Sequence, residues 1–149
     1  MKLLAGIVLF LLCGLTGEGR ARRLQRRERT LSNLRELIAQ IGDRQQAALV
    51  SFREAALGCH PSPEREALLR LSKGEDAFLP LLTAEELSSL AAYARSDSRS
   101  VSALRAERAA VLALLARERD RTREEWQRKG QVYRAVGYLC GVAVLLLVL

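Results

Sequence analysis

With 149 residues the chain has room for one domain, and the helix-favouring residues Ala, Leu, Arg and Glu dominate it. Its net charge of +7 would suit a nucleic acid, an anionic lipid surface or a topology signal. Nucleic-acid readers interleave aromatic residues or Gly with their basic residues; here the basic block is nearly all Arg and abuts an apolar segment, so no nucleic-acid partner is expected.

Residues 1–17 carry the first apolar run, LLAGIVLFLLCGLTG behind Lys2. Two readings compete for it. A secretory signal peptide has this length and basic start, but Leu15, Thr16 and Gly17 make a poor cleavage site and Ala21 sits among arginines. A lipoprotein site at Cys13 is disfavoured by the bulk of Leu12. The other reading is an uncleaved transmembrane helix, short at about 15 residues, or roughly 22 Å against a hydrocarbon core of about 30 Å. Bilayer thinning, or snorkelling of Arg20 and Arg22, would cover the deficit. The anchor is preferred because residues 134–149, RAVGYLCGVAVLLLVL, form a second apolar segment, free of charge and Pro from Ala135 onward.

Gly17 and Gly19 suggest a swivel after the first run. Six arginines follow, Arg20, Arg22, Arg23, Arg26, Arg27 and Arg29, against the single acid Glu28. The segment before the second apolar run carries Arg128, Lys129 and Arg134. Basic flanks at a membrane edge stay on the cytoplasmic side, so the pattern predicts a hairpin with residues 18–133 as a cytoplasmic domain and both ends directed outward.

Within that domain, Leu24, Leu31, Leu34, Ile38 and Ile41 fall on one helical stripe, which Leu37 widens. The reading is a helix from about Glu18 to Ile41, broken by Gly42 and Asp43, then a second from Arg44 to Leu57 with Ala48, Leu49, Phe52, Ala55 and Ala56 inward. Ser62 as cap and Pro63 at the first helical position start a third, to about Ser72. Residues 77–82, with Pro80, read as a packed connector. Thr83 and Glu86 form a capping box that opens a helix through Arg95. Ser96, Asp97 and Ser98 precede a last, long helix with Val101, Leu104, Val111, Leu112, Leu114 and Leu115 as its buried stripe. Trp126, Tyr133 and Tyr138 suit either a membrane interface or packing on the bundle. Gly137 and Gly141 are four apart, the spacing that lets two membrane helices approach; Gly6, Gly14 and Gly17 at the other end, or a second copy of the chain, would serve as partner.

Chemistry is scarce. The only His, His60, adjoins Cys59, but the domain has no further Cys or His to complete a metal site, and adjacent residues seldom align as a catalytic pair. Cys13 and Cys140 lie in the apolar ends, where a thiol acts as a small hydrophobe, so three cysteines make no disulfide framework. Nucleotide-binding and metalloprotease motifs are missing, and the Glu85/Glu86 and Glu124/Glu125 pairs are explained as cap and surface. The expectation is a non-enzyme with no cofactor, all-α, with five to six bundle helices flanked by N- and C-terminal transmembrane helices. The rival classes are an exported basic helical protein bound to anionic envelope polymer after cleavage near Gly17, and an RNA-binding helical module using the Arg block.

The order of parts carries a resemblance: apolar start, Arg-rich entry, helical domain, Ser96-Asp97 before a long helix, then Tyr133-x-x-x-Gly137-x-x-x-Gly141 and an aliphatic tail. It resembles the stage III sporulation protein AB family of spore-forming Firmicutes. LRELIAQIGDRQQAALVSFREAA, Leu34 to Ala56, is similar to that family's first helical hairpin, and Ala91 to Leu149 follows its last third. The chain departs from the pattern at Arg99–Ser102, where the family has a Gln, and in a shortened stretch between Gly58 and Thr83. The resemblance implies a domain like the cytoplasmic domain of the type II secretion F protein. It further implies a place in the mother-cell membrane facing the forespore, within a channel complex, with a secretion-type ATPase and other sporulation channel proteins as partners.

Overall fold

A computed structural model describes residues 2–77, 79, 81–96 and 100–148. The fold is all-α, with five helices in the order α1 (Lys2–Ala48), α2 (Phe52–Leu57), α3 (Pro63–Ser72), α4 (Ala84–Arg95) and α5 (Val101–Val148). Two compact units result: residues 29–119 form a bundle, and residues 1–28 with 120–149 form a separate unit made from the outer parts of α1 and α5. Among the described residues, no helix is long and apolar enough to cross a membrane.

The bundle closes on the predicted stripe. Leu31, Leu34, Ile38 and Ile41 are fully buried, with Leu37 nearly so. Against them pack Phe52, Ala55 and Ala56 of α2, Leu68 and Leu71 of α3, Leu90, Ala91 and Ala94 of α4, and Val111 and Leu115 of α5. Phe52 meets Tyr93 edge to face, ring centroids 5.6 Å apart, a geometry that sets the positive ring edge against the negative ring face. Leu79 of the connector is buried in the same core.

The helix starts are chemically explicit. Ser62 Oγ accepts from the Arg65 backbone N–H at 3.1 Å, with Pro63 at the first helical position. Thr83 and Glu86 form the predicted capping box, and the Thr83 N–H donates to Glu86 Oε2 at 2.6 Å, so the buried Glu86 carboxylate has its partner inside the cap. Glu64 is likewise buried and accepts from Asn33 Nδ2 at 3.2 Å, which ties α3 to α1.

Several local expectations fail. Gly17 and Gly19 are no swivel, because α1 runs through both. Gly42 and Asp43 do not break α1, which continues to Ala48. A Gly inside a helix weakens it by only about 1 kcal/mol, and here the missing side chain is used: a Cβ on Gly42 would lie 2.5 Å from Arg108 Cδ and Nε of α5. Arg108 lies across this gap and donates from Nη2 to the Ala39 carbonyl at 2.9 Å and to Asp43 Oδ1 at 2.7 Å. The true break is at Leu49, whose φ of 52° is left-handed, followed by a capping box at Ser51 and Glu54. The second helix is therefore only Phe52–Leu57, and Ala48 and Leu49, expected inside, are exposed. In α5, Val111 and Leu115 are buried as expected, but Val101 is exposed and Leu104 half-buried.

Ile38→Ala should destabilise the protein by about 2–5 kcal/mol, whereas Leu57→Ala, at an exposed site, should stay within about 0.5 kcal/mol. Urea unfolding of the full chain in a neutral detergent, followed by circular dichroism, checks both.

Candidate functional site

The unit built from residues 1–28 and 120–149 is a helical hairpin organised by small residues. Gly17 and Ala21 of α1 are buried, as are Thr122, Gly130, Gly137 and Gly141 of α5. A side chain on Gly17 would collide with the Tyr133 carbonyl oxygen, and a Cβ there would sit 3.3 Å from Gly137 Cα. Backbone thus meets backbone at this point, the use expected of small residues between closely packed helices. Three residues further along α1, the Arg20 guanidinium lies 6.0 Å from the Tyr133 ring centroid, in cation–π range. Moving forward along α1 therefore moves backward along α5, and the arms are antiparallel. Of the other predicted packing glycines, Gly6 and Gly14 belong to α1, but their surroundings lie outside the described residues. Gly130, expected as a weak point of the long helix, lies within unbroken α5 and is covered by Trp126 of the same helix: a Cβ on Gly130 would lie 3.3 Å from the indole Cδ1.

Antiparallel pairing brings the two basic flanks to one stretch of the hairpin. Arg22, Arg23 and Arg26 are exposed on α1, as are Arg128, Lys129 and Arg134 on α5, while Arg27 is partly buried. Arg22 pairs with Glu18 at 2.9 Å and Lys129 approaches Glu125 at 3.8 Å; both are one-turn pairs at the surface, each adding no more than about 0.5 kcal/mol. Beyond this stretch, both arms expose large apolar side chains. On α1 these include Val8, Leu11, Leu12 and Leu15, the last 65 % exposed. On α5 they include Val136, Leu139, Val142 and Leu146, with Leu139 68 % exposed. One hairpin end is therefore apolar on its outside, and apart from Lys2 the charged side chains of this unit lie in the stretch next to it.

The bundle holds a second feature that the sequence reading missed. An open cleft of about 810 Å³ lies between the C-terminal end of α1, the Leu49–Arg53 segment, the end of α4 and the start of α5. Leu49, Val101 and Leu104 line it, and so do Arg53, Lys73, Arg95 and Arg108. Tyr93 forms part of its floor; burial pushes the Tyr93 phenol above its ordinary pKa, Arg108 opposes that shift and Glu107 adds to it. The Tyr93 hydroxyl reaches Gln45 Oε1 at 3.5 Å, and Ser96 donates to Glu107. The signal was present in the stripe positions Leu49, Val101 and Leu104, but apolar periodicity alone cannot tell a residue the chain covers from one it leaves open.

Cys59 and His60 do not converge. Cys59 is buried, its thiol donating to the Ala55 carbonyl at 3.5 Å, whereas His60 is exposed with Nδ1 2.9 Å from the Pro61 carbonyl oxygen. Among the described residues, no group of three or more His, Cys, Asp or Glu is placed to hold a metal ion. No family model, curated protein or solved structure matches this chain.

Gly17→Leu should force the arms apart and destabilise the hairpin by about 1–3 kcal/mol, whereas Gly19→Leu, with open space around it, should leave the arms paired and stabilise α1 by up to about 1 kcal/mol. Hydrogen exchange of the Arg20–Glu28 amides separates the two. Tyr93 couples folding to alkaline pH. Its pKa is higher folded than unfolded, so its contribution to stability is complete below about pH 10 and is lost as pH rises through the folded value. Tyr93→Phe should flatten that alkaline loss while changing neutral-pH stability by about 1 kcal/mol or less, as urea titrations at neutral and alkaline pH would register.

Proposed function

We propose that this chain is a membrane-held, non-enzymatic docking protein: a platform-like component of a secretion-like channel complex in sporulating cells, between mother cell and forespore. In this reading the hairpin end enters the bilayer as a pair of short apolar helices. The arginine-rich stretch stays at the cytoplasmic headgroups, and the bundle meets a secretion-type ATPase and other channel subunits. The observation that carries the membrane part is the hairpin itself. Two arms expose Leu, Val and Ile on the same end, and the cations of both arms fall on the stretch next to it.

An apolar surface of that kind is a strong candidate for lipid or protein cover. Arginines beside it favour the anionic cytoplasmic leaflet by about 1 kcal/mol per cation at the surface. Paired arms also soften the length deficit, since the close Gly17–Gly137 approach lets each arm shield the other's inner face. The sporulation part of the proposal is supported by the resemblance in layout, from the Arg-rich entry to Tyr133, Gly137 and Gly141.

Alkaline carbonate should leave the full chain in the membrane pellet, and Leu15→Asp combined with Leu139→Asp should release it. Extraction of the unmodified chain would overturn the membrane reading. Protease added outside spheroplasts should spare residues 18–133, and an intact mass that retains residues 1–17 would eliminate a cleaved, exported form. For the complex, genes for an ATPase and further channel proteins beside this one are the expected context.

A further inference from the structure

The cleft in the bundle has a composition that the fold itself does not need. Leu49 and Val101 are two of the large apolar residues the bundle leaves exposed, and both line this one cleft. Leu49 is 80 % exposed and left-handed, so a β-carbon-bearing residue bears local strain of about 1 kcal/mol or more without burying its side chain. Val101 and Leu104 belong to the helical stripe that elsewhere on α5 is covered by the core. Exposed Leu49 and Val101, with half-buried Leu104, therefore line one cleft from two different segments and are left without full cover by the described residues.

Among the described residues that line the cleft, the charged side chains are all basic. Arg53, Lys73 and Arg95 stand exposed at the cleft, and no Asp or Glu is among its described lining residues. Arg108, deeper in, is already engaged by Asp43 and the Ala39 carbonyl. Glu107, beside the cleft, is bonded to Ser96. Arg53 and Arg95 make no ion pair among the described residues, and Lys73 only approaches Glu75 at 4.0 Å. A ligand is thus expected to bring both apolar side chains and carboxylates.

We propose that this cleft is a docking groove for an acidic amphipathic helix of a partner protein. Its apolar side chains would cover Leu49, Val101 and Leu104 while its carboxylates pair with Arg53, Lys73 and Arg95. Helix-in-groove binding matches the walls, which are helix ends and a short connecting segment with no sheet edge for an extended peptide to join among the described residues. A nucleotide fits less well: the aromatic rings here, Phe52 and Tyr93, are buried and packed on each other rather than offered as a stacking face. The inference rests on the docking half of the function proposed above and is independent of its membrane half.

The test uses the full chain in neutral detergent micelles and a fluorescent peptide of about 15 residues, with Leu at i, i+3, i+4 and i+7 and Glu on the flanks. A Lys-for-Glu version and protein-free micelles are the controls. Anisotropy should show the acidic peptide bound and the basic one free. Arg53→Glu combined with Arg95→Glu should weaken binding by about tenfold or more. Leu49→Gly removes both the side chain and the strain, so it should weaken binding about as much while the melting temperature holds or rises. The proposal is overturned if both peptides bind alike, if neither binds, or if the variants bind as the parent does. It also fails if inorganic phosphate displaces the peptide where chloride of equal ionic strength does not, since that would make the cleft a small-anion site.

Discussion

Arg108 lying across Gly42 is the contact on which the bundle depends most visibly. Helices α1 and α5 are far apart in sequence, and a guanidinium laid on bare helix backbone joins them with two hydrogen bonds, one of them to the carboxylate of Asp43. A charge-assisted bond of this kind is worth more than a neutral one, and with Arg108 where it lies a β-carbon at residue 42 would meet its guanidinium. The bond reaches the carbonyl of Ala39, an acceptor already inside the helix, so the clasp adds to α1 without unwinding it. In the hairpin unit a second glycine of α1, Gly17, serves a related purpose by admitting the backbone of α5 itself.

Those two glycines also explain what the sequence could and could not reveal. Periodicity located the stripe Leu31, Leu34, Ile38 and Ile41, and cap chemistry located the starts at Pro63 and Ala84, because both signals are local and repeat within a few residues. Glycine is ambiguous locally. The same residue that ends a helix in one context admits a neighbour in another, and the choice at Gly42 is made by an arginine more than sixty residues away. Leu49 shows the converse: a residue that reads as helical and inward instead ends the helix, with nothing in its own chemistry to announce a left-handed backbone.

The candidate sites were legible to different degrees for the same reason. The basic flanks and apolar ends of the hairpin are contiguous blocks, so composition alone marked Arg20, Arg22, Arg23, Arg26, Arg27, Arg128, Lys129 and Arg134. What composition cannot say is that the two blocks come level with each other; that follows from the Gly17 and Arg20 contacts with Tyr133 and Gly137. The cleft has no contiguous signature. Its residues come from α1, the segment after it, the ends of α3 and α4 and the start of α5, and only folding collects them.

The antiparallel hairpin has a consequence for the order of events in synthesis. Gly17 and Gly137 lie 120 residues apart, and every residue of the Arg29–Arg119 bundle is translated between them. The first arm is thus made without its partner, and it stays unpaired until the second arm has left the ribosome. At translation speeds of about 5–20 residues per second, that interval lasts many seconds. Whatever covers the first arm meanwhile, a chaperone, a targeting factor or the bilayer, must give up its inner face when Gly137 arrives. Closing the hairpin is therefore an exchange of partners, and it comes after the bundle's last residue, Arg119, has been made.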